Sequence, residues 1–324
     1  MRSLSIARRE LIEALVAESD VGGITAALLE KDEHLTDALR AVFSLEIEGL
    51  RLVFCGGTSL SKAHGLIERM SEDADIKVVG TYEAASWSRS RLRTELRGLR
   101  KAVTSTMTDL GFVEDTQQAS SLNENRFAHS QWAYEEAYEG AAALRPNLQL
   151  EFVYRKPVLA TDRCSISSLA DRLAGRAGDA FEVETISIAE TQAEKVLSFL
   201  RRFSQHRSGQ MNREWDAALV RHIYDVHCIH VAHAELLTSS AGAFSQLLAG
   251  DVSEFGRQQP EFAANPVAIL AEALNRSAKD EQTQMEFDRN LLPLVYGNHR
   301  PDYSNAFASF ETVARKLLDR ALAK

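Results

Sequence analysis

Apolar residues recur at helical spacing from early in the chain. Leu11, Ile12, Leu15 and Val16 mark one amphipathic helix, and a second amphipathic stretch runs to about Leu50. The short apolar run that follows Arg51 ends at Gly56-Gly57, the sign of a buried strand entering a tight turn. Thr58 or Ser59 is suited to cap a helix that continues to about Gly65. From Asp73 to Gly80 polar and apolar residues alternate before the segment turns wholly apolar, which predicts a strand. Residues 83–110 read as a long, arginine-rich helical stretch, and 127–134 and 148–154 read as two further strands.

A polar segment around Gly175 to Asp179 reads as a loop or domain boundary, and the pattern then changes. From Ser187 onward nearly everything has helical spacing, with breaks near Gly209, Gly250, Pro260, Pro266, Pro293 and Pro301. The expectation is an α+β protein, with a mixed domain and its leading helices over 1–186 and a helical domain over 187–324.

Composition narrows this picture. The chain has 324 residues, 45% hydrophobic and 26% charged, enough for a sizeable core. It holds no apolar run of about 18 residues and no signal-like N-terminal segment, so a cytoplasmic protein without membrane spans is expected. Cys55, Cys164 and Cys228 are far apart and show no CxxC spacing, as reduced thiols would be. A net charge of −9 argues against a general nucleic-acid coat while leaving room for a local basic groove.

Two features carry candidate chemistry. Glycines after a strand let a backbone approach another group closely, and a helix opening there directs free N–H groups at an anion. Taken alone, Gly56-Gly57-Thr58-Ser59 fits an ordinary capped turn better. In a strand, Asp73 and Asp75 share one face while Ala74 and Ile76 share the other. Two carboxylates side by side repel unless a cation lies between them, and Mg²⁺ favours one or two carboxylates plus phosphate oxygens. Taken alone, that pair too fits a solvated strand end better.

Together they are more specific. The stretch Phe54-Cys-Gly-Gly-Thr-Ser-Leu-Ser-Lys-Ala-His-Gly-Leu-Ile-Glu-Arg-Met-Ser-Glu-Asp-Ala-Asp-Ile-Lys77 resembles the signature of the AbiEii/AbiGii family. These are polymerase-β-like nucleotidyltransferases that act as toxins of toxin–antitoxin pairs and phage-defence systems, with the MenT toxins among their relatives. Met70 stands where that signature has Phe. The resemblance implies that Gly56, Gly57, Thr58, Ser59 and Ser71 hold the triphosphate of an NTP, and that Asp73 and Asp75 hold Mg²⁺ (or Mn²⁺). Lys62 and Arg69 read either as further phosphate contacts or, better, as solvated helix residues.

Elsewhere the sequence offers partners for that site. Glu151 lies on the polar side of the 148–154 strand, as a third acid or as an exposed strand residue. Ser187 and Glu190 are spaced as a capping box for the next helix. On that helix Lys195 resembles the family's phosphate-binding lysine, and Asp225 in Arg221-His-Ile-Tyr-Asp225 resembles the aspartate grouped with it. His222 stands where the family has an additional aspartate, and Arg221–Asp225 is equally a structural i, i+4 pair. The family implies tRNA 3′ ends as acceptor and a cognate antitoxin protein as partner.

Other readings remain. His222, His227, His230 and His233 raise a zinc site, against which stands the lack of HExxH. One is a fold kept as a binding module without chemistry; another keeps the chemistry with a small molecule or a protein as acceptor. Arg93, Arg97 and Lys101, with Arg89 one turn earlier, form a basic ridge suited to RNA or a plain solvated face.

Overall fold

A computed structural model of the chain describes residues 1–18, 23–140, 144–176, 179–209, 215–297 and 300–323. Residues 177 and 178 of the loop expected near Gly175, and those just after Gly209, lie outside the described residues. The chain divides into two units: Met1–Pro157 with Thr161–Ile186 and Tyr296–Asn298, and Val158–Ala160 with Ser187–Val295 and His299–Lys324. Mixed strands and helices make the first unit and helices make the second, an α+β protein as the hydrophobic pattern predicts.

The first unit runs α1 (Ile6–Glu18), α2 (Ala26–Phe43), β1 (Leu50–Cys55), α3 (Gly56–Lys62), β2 (Asp73–Gly80), α4 (Arg89–Asp109), β3 (Val113–Glu114), β4 (Ser120–Leu122), β5 (Phe127–Ala133), β6 (Asn147–Tyr154), β7 (Asp162–Ile166), α5 (Leu169–Leu173) and β8 (Phe181–Thr185). The eight strands among the described residues form one mixed sheet, ordered β3-β5-β6-β2-β1-β8-β7, with β4 paired to β5. Central β2 runs antiparallel to β1 and parallel to β6. One face of the sheet is apolar. Ala74, Ile76, Leu148, Leu150 and Phe152 lie there, in one core with Leu92, Leu96, Leu99, Val103 and Met107 of α4 and Leu35, Leu39 and Val42 of α2. The α4 residues recur every three or four positions, and Ser88 caps the helix by accepting from Arg91 N.

Several boundaries differ from the sequence expectation. Helix α2 stops at Phe43, because a tight turn with Gly49 at φ +72° starts β1. Helix α3 begins at Gly56 with Cys55 as its N-cap, so Thr58 and Ser59 lie inside it and do not cap it. Strands β3, β4, β7 and β8 are additional: the first two span two and three residues and the last two five each, so even the alternation of Phe181-Glu-Val-Glu-Thr185 is too brief to stand out.

The second unit comprises α6 (Ile188–Arg207), α7 (Arg221–Ala232), α8 (Leu237–Phe255), α9 (Pro260–Ala264), α10 (Pro266–Ser277), α11 (Glu281–Glu286) and α12 (Tyr303–Leu322). Pro260 and Pro266 stand in the first turns of α9 and α10, where a missing N–H costs nothing. Gly250 does not break α8, which continues to Phe255. Phe199 of α6 meets Phe310 of α12 edge-to-face with ring centroids 5.0 Å apart, in a core of aromatic and aliphatic side chains. Among the described residues no helix is long and apolar enough to cross a membrane.

Candidate active site

The glycine turn and the aspartate strand meet across the β1–β2 pair. Cys55 is the register partner of Asp75, so the chain leaves β1 beside that carboxylate. Gly56 adopts φ +77°, a conformation that favours glycine. A Cβ there would overlap Oδ2 of Asp75 and lie 2.8 Å from its Cγ. A Cβ on Gly57 would come 2.6 Å from Arg69 Nη2 and 3.0 Å from Ser71 Oγ. Both glycines are therefore positions where other groups need the space. Ser71 lies against the turn. Thr58 and Ser59 direct their hydroxyls inward: Thr58 Oγ1 donates to the Asp73 carbonyl and bonds Ser71 Oγ at 2.8 Å, and Ser59 Oγ donates to Gly56 O at 3.1 Å. Their side chains build the turn.

Asp73 and Asp75 project from β2 on the face opposite the core, both half-buried, with Ala74 and Ile76 fully buried behind them. Glu151 is the β6 register partner of Asp75, and Gln149 is that of Asp73. Arg145, not anticipated from the sequence, reaches this face: its Nη1 lies 2.7 Å from Asp73 Oδ1 and 2.7 Å from Gln149 Oε1. The Glu72 carboxylate, fully buried, accepts from Arg145 N at 2.6 Å and from Lys31 Nζ at 2.7 Å, and Lys31 Nζ also donates to Arg145 O. Burial pushes the Lys31 ammonium below its ordinary pKa, and Glu72 opposes that shift.

Two hard carboxylate oxygens beside a turn free of side chains suit a divalent cation that keeps water and phosphate ligands. Among the described residues no group of three or more His, Cys, Asp or Glu is assembled for a metal. The four histidines of the α7 region accordingly form no zinc site there; His227 Nδ1 lies 2.9 Å from Ser309 Oγ and His233 Nδ1 3.0 Å from Glu235 Oε1. Lys62 is not solvated. It is buried, 2.7 Å from Asp32 Oδ1, and donates to Thr36 Oγ1. Arg69 is buried as well, with Nη1 donating to Met70 O.

In the helical unit, Ser187 caps α6 by accepting from Glu190 N, while the Glu190 carboxylate accepts from Val158 N and Leu159 N. The glutamate thus ties a preceding segment to the helix start. Lys195 Nζ of α6 lies 2.6 Å from Asp225 Oδ2 of α7, with the aspartate side chain fully buried. The buried carboxylate holds the ammonium in place and so fixes the lysine's reach.

The AbiEii model, described as a nucleotidyl transferase AbiEii toxin of a type IV toxin–antitoxin system, matches residues 37–312. The chain belongs to this family. It is an AbiEii nucleotidyltransferase toxin, and the matched span takes in the glycine turn, both aspartates, Lys195 and Asp225. Its fold is similar to that of the MenT4 nucleotidyltransferase toxin of Mycobacterium tuberculosis, with a TM-score of 0.55 and 18% identity over 98% of this chain and 90% of that one. No curated protein sequence matches it.

On this AbiEii chain the basic ridge of α4 is exposed: Arg93, Arg97 and Lys101 form no salt bridge among the described residues. Arg89 is engaged with Glu124 at 2.6 Å, and Arg91 lies 4.8 Å over the Trp87 ring. Arg145 is the site residue that sequence reasoning missed. Its signal was the Arg-Pro dipeptide just before β6, informative only once β6 is known to run parallel beside β2.

Proposed function

We propose that this toxin transfers the nucleoside monophosphate of an NTP to an acceptor hydroxyl in a Mg²⁺-dependent (or Mn²⁺-dependent) reaction, with the 3′ end of tRNA as acceptor. The observation that carries the reading is the close approach of Gly56 to Asp75, with Asp73 on the same strand face. Asp73 and Asp75 hold the cation, and Glu151 stands beside Asp75 on the neighbouring strand. When bound, the cation activates the acceptor hydroxyl and steadies the leaving pyrophosphate. Gly56 and Gly57 bring the turn's backbone against Asp75 and Ser71, where the triphosphate is held, and Ser71 offers it a hydroxyl. Lys195, oriented by Asp225, supplies a compact positive charge for phosphate oxygens. The acceptor hydroxyl attacks the α-phosphorus in line, the α–β bridging bond breaks, and pyrophosphate leaves.

The α4 ridge supports RNA as acceptor, since three exposed cations without a salt bridge among the described residues stand along one helix face of a chain whose net charge is −9. Family membership supports a cognate antitoxin protein that restrains the toxin. Sequencing RNA 3′ ends after incubation with each NTP, with Asp73→Ala as control, tests the acceptor. Added nucleotides on tRNA ends in the wild type alone support it. Unaltered RNA ends, with label instead on a small molecule or protein, reassign the acceptor.

A further inference from the structure

Arg145 has an unusual anchorage for a residue whose side chain is 37% exposed. Its backbone N–H and C=O are both clamped by the buried Lys31–Glu72 pair, and its guanidinium lies on Asp73. A buried ion pair that grips one loop residue by its backbone fixes where that side chain starts from. Nη1 makes both of the side chain's hydrogen bonds, to Asp73 and Gln149, while Nε and Nη2 have no hydrogen-bond partner among the described residues. A guanidinium fork with an open edge at a carboxylate pair matches a phosphate in geometry and charge.

We propose that Arg145 is a nucleotide-phosphate contact of this site, resting on Asp73 until a divalent cation takes that carboxylate. The inference rests on the assignment of Asp73 and Asp75 as cation ligands. In the nucleotide-free protein the guanidinium neutralises part of the repulsion between the two aspartates. The cation and Arg145 compete for Asp73 Oδ1, so cation binding frees the fork for the triphosphate. Binding of metal and of nucleotide are thereby coupled through one side chain.

The test is Arg145→Met, which leaves both backbone clamps in place, compared with wild type in two binding measurements. Mn²⁺ binding to nucleotide-free protein, followed by the loss of the free-ion spin-resonance signal, is expected to tighten roughly two- to fivefold, the worth of a half-exposed ion pair. Binding of a non-reactive NTP analogue with Ca²⁺ is expected to weaken about tenfold, as when a charge-assisted hydrogen bond is lost. An unchanged Mn²⁺ affinity, or an unchanged nucleotide affinity, overturns the exchange. Asp73→Asn and Asp75→Asn in the Mn²⁺ measurement separate the two levels. If wild-type Mn²⁺ binding does not depend on these aspartates, the metal assignment itself fails. If it does and Arg145→Met behaves as wild type, only the exchange fails.

Discussion

A methyl group on Gly56 would overlap Oδ2 of Asp75, because the chain passes that carboxylate at φ +77° in a conformation that leaves no side-chain space. Gly56→Ala is therefore expected to destabilise the fold by more than about 1 kcal/mol and to weaken metal-dependent NTP binding at least tenfold. Gly57→Ala meets only the ends of the Arg69 and Ser71 side chains and is expected to do less. Chemical denaturation and nucleotide titration of both variants check the order. Equal effects would contradict the special position of Gly56.

The Lys195–Asp225 pair separates structure from chemistry. Either Lys195→Met or Asp225→Leu alone breaks a buried ion pair, at a cost of about 3–5 kcal/mol. The double variant removes both charges and is expected to regain most of that stability, measured by urea unfolding, while NTP transfer stays lost. Recovered transfer in the double variant would make the pair purely structural.

The aspartate face was legible in the sequence because a strand repeats every two residues, so Asp73-Ala-Asp-Ile fixes which side chains turn toward the core. The role of Lys62 was not. A lysine at the end of a short helix reads as solvated, and only the fold brings Asp32 and Thr36 of α2 to it. The same holds for Glu30 to His34, a polar run resembling a wet helix face. It is buried because partners distant in sequence meet it: Glu30 accepts from Ala137 N and Tyr138 N, Lys31 meets Glu72, and Glu33 meets Arg8. Arg145 escaped for the same reason, since its place depends on the parallel pairing of β2 with β6. Periodicity reports which face is apolar. It does not report which charges find one another across long separations.

Acid sensitivity has a specific source in the first unit. The Arg8 guanidinium, hydrogen-bonded to both oxygens of Asp171, holds that carboxyl below its ordinary value of 3.8. A depressed folded-state pKa contributes stability above the unfolded value, lost as pH falls through the folded one. Asp171→Asn is expected to be less stable than wild type at neutral pH, with the difference shrinking below about pH 4. Urea midpoints from pH 7 to pH 3 measure this. A constant difference would place the variant's effect elsewhere.

The α4 ridge gives a salt-dependent prediction. Replacing Arg93 and Arg97, both exposed and without salt bridges among the described residues, with alanine is expected to weaken tRNA binding. The slope of log affinity against log salt should fall by about one to two units, with NTP affinity unchanged. An unaltered RNA affinity would remove α4 from the acceptor surface.

The central claim is that Asp73 and Asp75 support nucleotidyl transfer. Incubating the protein with labelled NTPs, Mg²⁺ and an RNA pool measures it most directly, alongside folded Asp73→Asn and Asp75→Asn variants. The account predicts label on RNA for the wild type, loss of at least 100-fold in either variant, as removal of a transition-state charge partner gives, and no reaction when the cation is chelated. Wild-type levels of labelling by either variant, or labelling that survives chelation, would contradict it.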